Sequence, residues 1–456
     1  MISLLEVIDR AMTGPYCTES DFEMKVLYPK IKELVKKYDI KYDSENPVPA
    51  DDALADRVFQ AGMDLYEAVG FYCPDTERIV KFSRKEIIEA LEEAPSEARI
   101  GEGKDRKVLK ARRPESSETP FCWIGALGAA VSSEELYASI MEAYASFMPL
   151  ANGITAPSLE KINGYIVRTG TPFEVIAAMR VTALGREALT RGGRPGLAIM
   201  NNIATAGSDV AKIAGSQFGL RKSDTWVSGH TAEFKLGFQR LNEIAFVERL
   251  GGYIIGETAP ILGGFCGGPE GTAIANAAYH LSSIIALRGD AQLTFPTFFR
   301  LGCTSERQTI WAKSVSCQAM ARNSHFPVFV DHYAAAGAMT DMFFYEAAAD
   351  VASSVVSGSH VTSAGTAKAT HVDHFSPIEP KFSSEVGHAV AGMTRTDVNE
   401  IVKQLMGKYE DRLATAPVGK KYCECWDIDK KLPNPEYMEL YEDMKKEISD
   451  MGIPLK

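Results

Sequence analysis

TWVSGHTAEFKLGFQRLNEIAFVERLGGYIIGE, residues 225–257, sets two short apolar runs, TWVSG and YIIGE, on either side of a longer stretch with apolar residues at helical spacing. A strand, a crossover helix and a second strand make the unit of a parallel sheet. From about Phe121 onward the same beat occurs eight times, with apolar runs FCWIGA at Phe121, LANGI at Leu150, GLAIM at Gly196, TWVSG at Thr225, YIIGE at Tyr253, QLTFP at Gln292, PVFVD at Pro327 and SVVSG at Ser354. Eight right-handed units in roughly 250 residues predict an α/β fold of the (β/α)8 TIM-barrel type rather than an open doubly wound sheet. The rival would carry a glycine fingerprint in its first turn. The one glycine-rich stretch, GGFCGGPEG at Gly263–Gly271, lies several residues beyond its strand and lacks an acidic ribose partner at the required distance.

The flanks read as helices. Residues 1–118 are expected to form an N-terminal helical extension, 119–410 the barrel and 411–456 a C-terminal helical tail. Ser83 with Glu86, and Ser132 with Glu135, have the spacing of a capping box. The net charge is −11, and the one dense basic run, KDRKVLKARR at Lys104–Arg113, is most simply a solvated loop, so nucleic acid is not an expected partner. The eight cysteines form no CxxC pair, and neither a zinc site nor a disulfide framework is indicated. No stretch reaches the ~18 uninterrupted apolar residues of a membrane span. Glu6 and Asp9 interrupt the N-terminal segment where a signal peptide would be apolar, so a cytoplasmic protein away from membranes is expected.

In such a barrel the functional groups gather at the C-terminal ends of the strands. These ends offer Met200, Asn201 and Asn202 after the third strand, His230 after the fourth, Glu257 after the fifth, Arg300 near the sixth, Asp331, His332 and Tyr333 after the seventh, and His360 near the eighth. Glu257 and Asp331 would bring two carboxylates into the mouth, where they could attract a cation, share a proton or, with His332, hold a divalent metal. Adjacent residues of an extended strand point to opposite faces, which weakens the metal reading. Tyr333 would give an alkylammonium group an aromatic face. Asn201 and Asn202 either bond a polar ligand or cap the next helix, and the Met200 thioether suits packing or one wall of a pocket for an N-methyl group.

The chain also resembles the monomethylamine:corrinoid methyltransferases of methylotrophic methanogens. The resemblance rests on GFYCPDTERIVKF at Gly70, GRPG at Gly193, APILGGFCGGPE at Ala259, AAGAMTDM at Ala335 and ATAPVGKKYCECWD at Ala414, five blocks in the family's order. It implies a (β/α)8 barrel, a homo-oligomer, and methyl transfer from an amine to a cobalt corrinoid carried by a separate small protein, with no cofactor held tightly in this chain. The family's pyrrolysine position is Met200 here, its active-site glutamate matches Glu257, its tyrosine matches Tyr333, and its glutamine two residues earlier is replaced by Asp331.

Methionine has no electrophilic carbon with which to form the adduct that the family's special residue is proposed to make. The resemblance with this departure implies a pyrrolysine-independent, corrinoid-dependent methyltransferase acting on an N-methylated amine, with a quaternary ammonium favoured because it leaves as a neutral amine. In that reading Glu257, Asp331 and Tyr333 are catalytic, and Met200, Asn201, Asn202, His230 and His332 contact the substrate, with no metal site. The alternatives are a non-catalytic amine-binding or scaffold homologue and a monomethylamine methyltransferase proper.

Overall fold

The computed structural model describes residues 1–200 and 205–456. Its centre is a sheet of eight parallel strands: β1 Cys122–Gly125, β2 Gly153–Thr155, β3 Ala198–Ile199, β4 Thr225–Gly229, β5 Tyr253–Thr258, β6 Ala291–Thr294, β7 Val328–Ala334 and β8 His360–Thr366. They pair in the order β3-β2-β1-β8-β7-β6-β5-β4. The intervening helices are α1 Glu134–Phe147, α2 Pro172–Arg191, α3 Asp209–Ser216, α4 Phe238–Leu250, α5 Pro269–Ile285, α6 Arg307–Asn323 and α7 Asp341–Val356, with α8 Ile378–Ala389 after the last strand. The (β/α)8 expectation holds. Among the described residues β3 and β4 share no ladder, so the cylinder has one seam. Side chains bridge it: Ile199 N–H donates to Asp224 Oδ1 at 3.0 Å, and Thr225 Oγ1 donates to the Met200 carbonyl.

Seven strands fall on the apolar runs read from the sequence. The eighth does not. Ser354, Val355 and Val356 are the last turn of α7, and β8 begins at His360. The helix is buried on every side and therefore lacks the polar face by which a helix announces itself, while its β-branched end imitates a strand. His360 accordingly lies at the floor of the barrel rather than its mouth. The capping box at Ser83 is present, but α1 is capped by Ser133, whose side chain accepts from Leu136 N–H, one residue beyond the expected Ser132.

The basic run is not a loop either. Lys107–Lys110 pairs antiparallel with Glu97–Ile100, and this hairpin turns Ala98, Ile100 and Leu109 into the lumen. There they meet Trp123, Val227, Ile255, Leu293 and Phe329, one side chain from each of five strands, so the lumen is a packed core closed from below. The helix Asp52–Val69 packs against α5 and α6, while Arg395–Met406 and Pro435–Asp450 pack against α7. Among the described residues no helix is long and apolar enough to cross a membrane.

Candidate active site

Strand alternation decides which side chains face the lumen. On β7, Phe329, Asp331 and Tyr333 point inward, whereas Val328 and Val330 pack outward against Cys317 and Met320 of α6. His332 goes with the outward set. It is fully buried, its Nε2 lies 2.8 Å from Ser354 Oγ of α7 and its Nδ1 3.1 Å from the Thr362 carbonyl. His230 likewise turns to α5, with Nε2 2.7 Å from Ser282 Oγ and its ring beside Phe71 and Tyr279. Burial drives the His230 pKa down to about 3 and that of His332 well below the usual imidazole range, so both are neutral packing groups. Neither expected histidine contact reaches the lumen.

Glu257 and Asp331 do come together. Gly229 of β4 stands opposite Glu257, and a Cβ there would strike the Glu257 side chain, so the glycine leaves it room to enter the lumen. Beside Asp331 the sheet is irregular: between the pairs Val330–Val361 and His332–Ala364, β8 advances three residues for two on β7. Such bulges re-aim side chains next to working sites. Asp331 is 3 % exposed and its Oδ1 has no hydrogen-bond partner among the described residues. Burial raises its pKa to about 7; the Thr362 hydroxyl lowers it, the neighbouring Glu257 carboxylate raises it further, and the Tyr333 hydroxyl lowers it again. Burial also raises Glu257, with Lys212 and Arg240 pulling it back. No cation forms an ion pair with either carboxylate among the described residues: Lys212 and Arg240 reach Glu243 instead, at 3.5 and 3.6 Å.

Tyr333 is the step between the acid pair and solvent. Its hydroxyl bonds Asp331, and its ring packs edge-on against Phe295 at 5.6 Å. Both aromatics line a cavity of about 570 Å³ over the mouth, whose other walls include Ala126, Gly128, Ala130, Gly302, Gly365 and Ala367. Two residues of strand put Asp331 ~7 Å below Tyr333, under that cavity's floor. Met200 belongs to the packed lumen, fully buried in one cluster with Trp123 and Phe329, its side chain laid over Gly153, where a Cβ would collide with it. It is not on the cavity wall. Asn201 and Asn202 lie outside the described residues.

Five residues that support the site carry no local sequence signal. Lys212 of α3 reaches the Val227 carbonyl at 3.5 Å, at the β3/β4 seam beside Glu257. Glu174 of α2 accepts from Gly170, Gly207 and Ser208 N–H and from the Ser208 hydroxyl, pinning the far end of the loop that follows β3. Thr304 accepts from Tyr333 N–H at 2.7 Å and donates to Asp350, itself paired with Lys313. Each joins positions distant in the chain. Three of the five sequence blocks also acquire positions: GRPG is at the floor, where Arg194 binds Asp105 and the Met148 and Ala151 carbonyls, while AAGAM and APVGK interlock through Gly337 N–H to Pro417 O and Lys420 N–H to Ala338 O. Among the described residues no group of three His, Cys, Asp or Glu side chains is placed to hold a metal.

This arrangement has close counterparts. Residues 2–453 match the family model described as Monomethylamine methyltransferase MtmB. The Monomethylamine methyltransferase MtmB of Methanosarcina mazei is 30% identical over 449 residues, covering 98% of this chain and 97% of that protein. The crystal structure of the Methanosarcina barkeri monomethylamine methyltransferase superposes with a TM-score of 0.95 at 28% identity, over 99% of this chain and 98% of that one. A crystal structure described as the hydroxylamine MtmB complex matches with the same values.

Proposed function

From the premise that the chain belongs to the monomethylamine methyltransferase family and is a methyltransferase, we propose that it moves a methyl group from an N-methylated amine, a quaternary ammonium foremost, to Co(I) of a corrinoid held on a separate protein, without a pyrrolysine. The observation that carries the reading is the acid pair: two lumen carboxylates, one with an unpartnered buried oxygen, and, among the described residues, no cation bound to either. A buried anion without a counter-ion is costly, and a positively charged substrate supplies what is missing.

In this reading Glu257 and Asp331 receive the ammonium, and Tyr333 and Phe295 offer aromatic faces to its methyl groups. The departing quaternary ammonium surrenders its methyl to the cobalt nucleophile and leaves as a neutral tertiary amine with the C–N electron pair, so no proton is needed on the leaving group. Loss of that charge would strand two carboxylates. A pKa near 7 lets Asp331 ionise as the cation arrives and take up a proton as the charge disappears. The small-residue walls of the mouth cavity suit the approach of a flat macrocycle carried by a partner. Met200 acts as packing within the lumen core.

The experiment is to mix the protein with a reduced corrinoid carrier and a panel of quaternary, tertiary, secondary and primary methylamines, following the corrinoid's visible spectrum and amine release. Methyl transfer from the quaternary member supports the proposal, and silence from the whole panel rejects it. The full burial of Met200 where the family places its reactive residue favours one second reading, an amine-binding homologue that transfers nothing. It predicts calorimetric binding with no spectral change.

A further inference from the structure

A second cavity, of about 400 Å³, opens at the opposite end of the barrel, below the starts of β1, β2 and β8. Its wall carries Lys104, Lys107, Lys110, Arg112 and Arg194 against a single carboxylate, Glu118. On a chain of net charge −11 this is a local reversal of sign. Arg194 is paired with Asp105 at 2.8 Å, and Lys110 stands 3.9 Å from Glu97. Lys104, Lys107 and Arg112 have no carboxylate partner among the described residues.

The wall is also short of acceptors where it is driest. Arg112 is 4 % exposed, and its terminal nitrogens donate to the carbonyls of Val355, Ser359, Ser116 and Glu118. Those carbonyls fix the guanidinium without neutralising it. Its Nε is buried and unpartnered, as is Nε2 of His388, which shares the wall. A rigid buried guanidinium with a free donor, a free imidazole nitrogen beside it that donates in its Nε2–H tautomer, and two uncompensated lysines at the rim make a binding set for a multiply charged oxyanion. Val108, Phe121 and Leu150 give the same cavity an apolar flank for the remainder of such a molecule.

We propose that this floor cavity binds a small phosphorylated molecule, its phosphate held by Arg112 and His388 and drawn in by Lys104 and Lys107. The site is independent of the methyl-transfer reading, because it lies across the packed lumen from Glu257. The test is titration calorimetry at low salt with inorganic phosphate, pyrophosphate and ATP. Lys104 and Lys107 are exposed, so the double variant Lys104→Glu/Lys107→Glu leaves the core untouched. The expected result is saturable binding of at least one probe at one per chain, weakened about tenfold or more by that double variant. Charge reversal at the exposed Lys32 and Lys161, which lie on segments toward the mouth end, leaves it unchanged. Phosphate binding as tightly as ATP identifies the free ion, and tighter ATP binding identifies a nucleotide. No saturable binding by any probe, or equal binding to both double variants, overturns the proposal.

Discussion

Asp331 and Asp350 sit on opposite faces of β7 and share a near-total burial, 3 % and 1 % exposed, yet only one is given a counter-charge. Asp350, behind the strand, is paired with Lys313 and receives the Thr304 hydroxyl, and through Thr304 the pair fixes the backbone of Tyr333. Asp331, in front of it, has a neighbouring carboxylate and a free oxygen. The structural aspartate is neutralised inside the fold. The other is left in want of a cation, and that is the ground for proposing it as a site rather than a strut.

The comparison can be broken most severely from behind. Lys313→Met leaves Asp350 buried without its partner and is expected to cost roughly 3–5 kcal/mol, measured by denaturant unfolding, whereas Lys313→Met combined with Asp350→Leu recovers most of the loss. In front the sign is opposite. A carboxyl raised from 3.8 to about 7 binds a proton more tightly in the folded than in the unfolded chain, so stability falls as pH rises between those values. Asp331→Asn removes that penalty: no gain is expected at pH 4, and a gain of roughly 2–4 kcal/mol is expected at pH 8. An unchanged or lower stability at pH 8 would mean that Asp331 has a counter-charge within the fold.

A smaller effect sharpens the same contrast. Because a cation prefers the ionised pair, the affinity for a quaternary ammonium should rise about tenfold between pH 6 and pH 8, with Asp331 as the titrating group, and level off above. The Asp331→Asn variant should show a flat profile. Smallest of all is Met200→Leu. If Met200 only fills the lumen core, this swap costs under about 1.5 kcal/mol and leaves the amine affinity as it was.

Sequence reading reached the barrel because seven of its strands are short apolar runs bounded by turn residues, a local signal. It lost β8 because Ser354–Val356 ends a helix with no polar face. It located Glu257, Asp331 and Tyr333 because strand ends can be numbered, and the alternation rule already set His332 against Asp331. The supporting groups were out of its reach: Lys212 approaches Val227 from a separate helix, and Thr304 meets Tyr333 across 29 positions. The basic run gave its charge but not its hairpin, whose partner strand is set by the lumen it closes.

The central claim is that the missing counter-ion of the acid pair is the substrate. Calorimetric titration of tetramethylammonium into the protein and into Glu257→Gln/Asp331→Asn at pH 8 tests it most directly. The account predicts saturable binding to the first and none to the second, with both proteins folded by circular dichroism. Equal binding to the two proteins, or none to either, would contradict it.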